Sequence, residues 1–420
     1  MKQQTQLSQS VMIGLVILFS SCSAERVTPP VAHERSATST PSASGTTAPS
    51  TPISKPIARS TRAILPEESP PKGTNVEFKT DFKRHTVPYG EILSGGPPKD
   101  GIPAIDTPAF ISVIDADAWL KSSESVAMIH IGDDARAYPV QILTWHEIVN
   151  DAVGGVPLAV TYCPLCNTAI AFERTFDGRV HEFGTTGRLR YSNMVMYDRQ
   201  TETWWQQGTG EAIVGELAGQ RLIQRPMTLM AWSDFKTGYP TGKVLSRNSG
   251  YSRRYGVNPY AGYDNPETQP FLYRGPATPN QLPPLARVLT LDLNDDPVAF
   301  PYEVLAQQRA ITDVVGGAPI VVFWTPGARS PLDAAEVADG REIGAAAAFS
   351  RQLDGVILDF KRSGESIVDV QTGSRWNGFG RAIDGSLKGK QLEEVIGTNH
   401  FWFSWAAFHP NTRVRDAVSP

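Results

Sequence analysis

The chain is poor in cysteine, with three in 420 residues, at positions 22, 163 and 166. So few thiols exclude a disulfide-framed fold, which needs a denser, even set of bridges. No apolar run approaches the ~20 residues of a membrane-spanning helix; the longest, Val11 to Phe19, falls well short. Neither sign of charge is in large excess. The net charge is -4 and the basic residues are scattered, so there is no electrostatic footprint for nucleic acid, which is excluded as a partner. Gly-x-Ser-x-Gly elbows, His-Glu-x-x-His pairs and phosphate loops are also missing, which removes the common hydrolase and nucleotide-binding readings.

What is present divides the chain into five segments. Residues 1–22 combine Lys2, the apolar run and Ser20-Ser21-Cys22, a lipoprotein signal peptide with cleavage before Cys22 and lipidation of its thiol. The expectation is an exported cell-envelope lipoprotein, periplasmic or on the extracellular face, whose membrane contact is the anchor at Cys22. Residues 23–75 are rich in Pro, Ser, Thr and Ala and read as a disordered tether with a span on the order of 40 Å. Residues 76–247 form a first repeat and 285–420 a second, degenerate one. An aromatic and Pro-rich connector, 248–284, joins them.

The repeat rests on blocks in one order. Ala137-Tyr138-Pro139-Val140, then Asn150 to Pro157, match Ala299-Phe300-Pro301-Tyr302, then Thr312 to Pro319. Ala171 to Gly178 matches Ala348 to Gly355, Asp198 to Trp205 matches Asp369 to Trp376, and Trp232 with Phe235 is set against Trp405 with Phe408. A period of about 170 residues is a duplicated domain, not a solenoid. Asp177-Gly178 and Asp354-Gly355 signal tight hairpins, and apolar runs such as Pro157 to Tyr162 read as strands. Helices are expected from Val140 to Asn150 and from Thr228 to Phe235. The fold class is mainly β, with α+β as the alternative: two tandem β-rich antiparallel domains with short helices, barrel or sandwich left open.

Only the first copy carries Cys163-Pro164-Leu165-Cys166. Aligned without gaps, Thr325 stands opposite Cys163, Ala328 opposite Cys166, Gln308 opposite His146 and Leu358 opposite His181. Ligand-type residues vanish together while turn glycines and core aromatics persist. The metal-ligand set is therefore Cys163, Cys166, His146 and His181, for copper or zinc, since soft sulfur with imidazole suits both ions. Met194, Met196, Arg199 and Trp204 are the candidate pocket residues, with core packing the alternative and better reading for the two methionines, since alternate strand positions share one face. Asp198, Thr201 and Trp205 recur as Asp369, Thr372 and Trp376, so they read as fold residues. Two other readings stand beside the metal site: a Cys163–Cys166 dithiol/disulfide redox protein, and a non-enzymatic binding or assembly module with an unnamed protein partner. Whether the chain is an enzyme is left open.

With Trp145 to Asp151, Thr161 to Cys166, Ser192 to Thr201 and the glycine-marked turns, the chain resembles the bacterial and archaeal family of domain of unknown function 3179 over roughly residues 80 to 415. The resemblance implies an exported protein whose His-Cys-Cys pattern belongs to the family motif. It implies no activity. Asn167 stands where the family usually has a small residue, often glycine.

Overall fold

Short runs of β-branched and aromatic residues, turned by Gly, Asp and Asn at positive φ, fold this chain into antiparallel strands. The computed structural model describes residues 58–59 and 62–416, which belong to one compact unit. The signal peptide, Cys22 and most of the tether lie outside the described residues. Among the described residues the strands form several mainly antiparallel sheets and no closed barrel, so the mainly β class holds and the arrangement is sandwich-like. No helix there is long and apolar enough to cross a membrane.

The part of the first half that recurs in the second comprises strands β1 (Ser125–Ile131) and β2 (Asp134–Pro139), helix α1 (Val140–His146), and strands β3 (Ile148–Val153), β4 (Val156–Cys163) and β5 (Thr168–Glu173). It continues through β6 (Phe183–Arg190), β7 (Asn193–Asp198), β8 (Trp204–Gln206), β9 (Glu211–Val214), β10 (Thr228–Ala231) and helix α2 (Trp232–Gly238).

The second half runs through the same order. It comprises β11 (Arg287–Leu293), β12 (Asp296–Pro301), α3 (Tyr302–Gln308), β13 (Ala310–Val315), β14 (Ala318–Thr325) and β15 (Ala345–Ser350). After these come β16 (Phe360–Ser363), β17 (Ser366–Asp369), β18 (Arg375–Trp376), β19 (Ala382–Asp384), β20 (Thr398–Phe401) and α4 (Trp402–Ala406).

Two helix expectations need correction. The first helix stops at His146 because Glu147 takes a left-handed conformation, φ 59°. Ile148 to Val153, rich in β-branched side chains, then pairs with β4. Likewise Thr228 to Ala231 is strand β10, paired with β1, and α2 starts only at Trp232. The hairpin turns appear as expected: Asp177 and Gly178 have φ of 50° and 70°, Asp354 and Gly355 of 50° and 82°, the two positive values a type I′ turn requires.

One polar lock recurs in each half. Trp205 Nε1 donates to Asp198 Oδ2 at 3.0 Å and Trp376 Nε1 to Asp369 Oδ2 at 3.0 Å. Thr201 and Thr372 each donate a hydroxyl to the same carboxylates. Between the halves the packing is crosswise. Thr168 on β5 bonds His400 on β20, and Ala345 on β15 packs with Met230 and Ala231 of β10.

Candidate functional site

The cysteines sit where β4 ends. Cys163 is its last residue, Pro164 to Cys166 make one 3-10 turn, and Asn167 reverses the chain at φ 51° and ψ 40°. Proline suits the first position of that turn, because its missing N–H would have no partner there. Asparagine, like glycine, tolerates the left-handed conformation that follows, which explains its place after the second cysteine. Both thiols are free and buried, 2% and 0% exposed.

The Cys166 S–H donates to the Ser192 carbonyl at 3.5 Å. The Cys163 side chain, the Ser404 hydroxyl and the Met194 backbone lie near enough to the same sulfur to act on its protonation. Burial, with the neighbouring Cys163 sulfur, pushes the Cys166 thiol well above its ordinary range. Met194 and Met196 belong to the same buried apolar cluster as the two cysteines.

The histidines named from the sequence are held elsewhere. His146 Nδ1 donates to the Pro103 carbonyl at 2.8 Å, so Nε2 is the acceptor, and it takes the Tyr255 hydroxyl at 2.6 Å. Both ring nitrogens are thereby committed; a metal at Nε2 would have to displace Tyr255. His181 Nδ1 lies 3.1 Å from Asp198 Oδ1, and the ring stacks on Phe176 at 3.6 Å. Burial works to raise the Asp198 carboxyl, but hydrogen bonds from His181, Trp205 and Thr201 outweigh it and hold the group below the usual carboxylate range. Among the described residues, no group of three or more His, Cys, Asp and Glu side chains is arranged to hold a metal ion. The structure thus groups Cys163 with Cys166 and leaves His146 and His181 out.

Of the expected pocket residues, Trp204 belongs to a different cluster, edge-on to Phe78 and Phe82. Arg199 pairs with Asp106 at 2.5 Å in a surface pocket shared with Asp100. Neither reaches the thiols.

What sequence comparison missed is the contribution of the second half. Ser404 on α4 touches Cys166 and donates to Asn193 Oδ1 at 3.1 Å. Thr168 donates its hydroxyl to the Cys166 carbonyl at 3.1 Å, so the 2.9 Å contact with His400 is donated by His400 Nδ1. His400 Nε2 is then a buried acceptor without a partner among the described residues. The connector adds Tyr263, whose hydroxyl donates to the Leu165 carbonyl at 3.0 Å.

Beside the thiols, the Tyr162 hydroxyl is buried without a hydrogen-bond partner among the described residues. Near it, Arg287 of β11 bonds Asp264 of the connector at 2.5 Å, and Arg341 bonds the same carboxylate at 2.8 Å. Glu147, half-buried and without a charge partner among the described residues, is pushed up to about 8 by burial.

The signal for these groups was present in the sequence but misaligned. In the structure α2 and α4 begin with Trp232 and Trp402, so Phe235 answers Trp405 and Met230 answers His400. Pairing Trp232 with Trp405 shifted this block by three residues and hid a histidine that only the second copy carries.

Two outcomes follow from this geometry. His181→Leu, which installs the residue the second half has as Leu358, is expected to leave the fold and any metal binding within about twofold, because the Asp-Thr-Trp lock survives without a histidine there. Thermal unfolding and metal titration of the variant check this; a large loss in either would return His181 to the site. The second outcome concerns acid stability. Burial lowers His146 to about 4 and His400 to about 3 from 6.5. Between those values the unfolded chain binds more protons, so the stability from these neutral rings is complete above about pH 6.5 and is lost as pH falls through 4 toward 3. Denaturant midpoints measured from pH 7 to 4 are expected to fall for the parent chain and to fall less for His400→Gln.

Over residues 99–412 the chain matches the family described as "Protein of unknown function (DUF3179)". No curated protein and no protein of solved structure matches it.

Proposed function

The chain belongs to the DUF3179 family of unknown function, and on that footing we propose that it is a dithiol metal-binding protein whose Cys163 and Cys166 hold one soft ion, Cu(I), outside the cytoplasm. The observation that carries the reading is the contact between two free, buried thiols in a cluster that also contains Met194 and Met196. Soft sulfur donors select Cu(I), whereas a structural zinc site needs four ligands, usually with imidazole or further thiolates. His146 and His181 are held by other partners, which favours copper over zinc for this pair. The bound ion replaces the thiol protons, and the buried Ser404 with the partly buried Leu165 and Tyr263 keeps water from the sulfurs.

Export and a lipid anchor at Cys22 are part of the same proposal, and they rest on the sequence of residues 1–22. A dithiol/disulfide role draws on the same sulfur contact. It is the weaker reading, because exchange requires an accessible thiolate and here burial raises the Cys166 thiol and hides both sulfurs.

Competition titration of the full chain with a Cu(I) chelator tests the proposal. One equivalent of Cu(I) per chain is expected, with Zn(II) bound far more weakly. Two thiols that cycle reversibly with a disulfide, and no stoichiometric copper, would replace the metal reading with the redox one.

A further inference from the structure

The cysteine turn of the first half packs against β20 and α4 of the second. The corresponding place in the second half, where β14 and β15 face β10 and α2, is a cavity of about 700 Å³, within the ~300–1,000 Å³ of ordinary ligand sites. The cavity has a simple origin in the sequence. The strand positions held by Thr168 and Ile170 beside the cysteines are Ala345 and Ala347 here, and Thr325 stands where Cys163 does.

The walls differ in character. Tyr239 and Phe379 meet edge-on at 5.5 Å, and with Met230 and Ala346 they give the cavity an apolar body. Asp234, at the first turn of α2, lines it with a carboxyl that has no hydrogen-bond or ion-pair partner among the described residues, and burial raises that carboxyl to about 6. Glu394, also raised by burial, lines an adjoining pocket and lies 3.8 Å from His130, which lines this cavity. Arg381 and Lys388 line the same cavity, and neither side chain is in an ion pair among the described residues. Asp234 is only partly exposed to water and has no counter-charge among the described residues, which is costly for an ionised carboxylate, whereas Arg381 and Lys388 are exposed and present solvated cations to the same space. A ligand that carries both charges can meet the carboxyl with its cation and the two basic side chains with its anion.

We propose that this cavity binds a small zwitterion with an apolar body, of dipeptide size, its ammonium facing Asp234 and its carboxylate facing Arg381 and Lys388. The proposal goes beyond the dithiol reading and does not depend on it.

Calorimetric titration of the full chain with L-leucyl-L-leucine tests it, alongside N-acetyl-L-leucyl-L-leucine, which lacks the ammonium, and L-leucyl-L-leucine amide, which lacks the carboxylate. The free dipeptide is expected to bind, and each blocked form to bind about tenfold more weakly or worse, which is ~1.4 kcal/mol per charge contact. Asp234→Asn is expected to erase the penalty for acetylation and Arg381→Gln the penalty for amidation. The blocked ligands act on the parent chain, so the result stands even where a variant fails to fold. No binding of the free dipeptide up to about 10 mM, near the weak end of the affinity scale, would overturn the proposal. So would equal binding of all three compounds.

Discussion

Asp264→Ala is expected to destabilise the chain by about 3–5 kcal/mol, the ordinary cost of removing one partner from a buried ion pair. Asp264 is fully buried in the connector and accepts from Arg287, Arg341 and Ser330, the last through a short hydrogen bond. Burial alone would raise its carboxyl, and the two guanidiniums with Ser330 hold it below the usual range instead. The Arg287 side chain is itself only 7% exposed, and its Nε and Nη1 lack partners among the described residues. Without Asp264 the arginine is left as an uncompensated buried charge beside Tyr162. Replacing the pair together, Asp264→Leu with Arg287→Met, is expected to recover much of the loss, since an apolar pair of similar volume removes the stranded charge. Denaturant unfolding of the three chains measures both steps. A single-variant cost below about 0.5 kcal/mol, typical of surface positions, would show that the connector is not locked to the second half in this way.

Cys163→Ser and Cys166→Ser are each expected to lower Cu(I) affinity by roughly three orders of magnitude or more, ~4 kcal/mol at ~1.4 kcal/mol per decade. The effect is large because two sulfurs from one turn form the whole charged donor set, so losing either leaves a single thiolate. His146→Gln serves as the contrast. Its ring is held between Pro103 and Tyr255, and copper binding should stay within about threefold of the parent. Near-UV circular dichroism on each variant separates loss of the site from loss of the fold. Cysteine variants that still bind within about threefold would remove the dithiol from the account.

Much of this architecture could be read from the residues because it depends on local chemistry. The Asp-Gly turns demand positive φ. Pro139 and Pro301 open matching helices, and Asp198 and Asp369 sit at matching distances from the tryptophans they bind. The helix ends were less legible. A left-handed Glu147 stops α1 with no glycine to announce it, and Thr228 to Ala231 is extended because β1 offers a partner strand, which is a tertiary cause.

The site was half legible. The cysteines stand out as a pair that the second copy lacks, and the same comparison suggested His146 and His181, whose rings turn out to serve Tyr255 and Asp198. Searching for what the second copy had lost cannot find what it alone possesses. Ser404 and His400 close the wall of a site whose thiols lie more than 200 positions earlier in the chain, and only the crosswise packing of the halves brings them there.

X-ray absorption spectroscopy of the chain loaded with one equivalent of Cu(I) addresses the central claim most directly. The account predicts a first shell of sulfur alone, unchanged in His146→Gln and His181→Leu and absent when Cys163 and Cys166 are both serine. An imidazole shell that disappears with His146 or His181, or a chain that retains no copper after desalting, would contradict it.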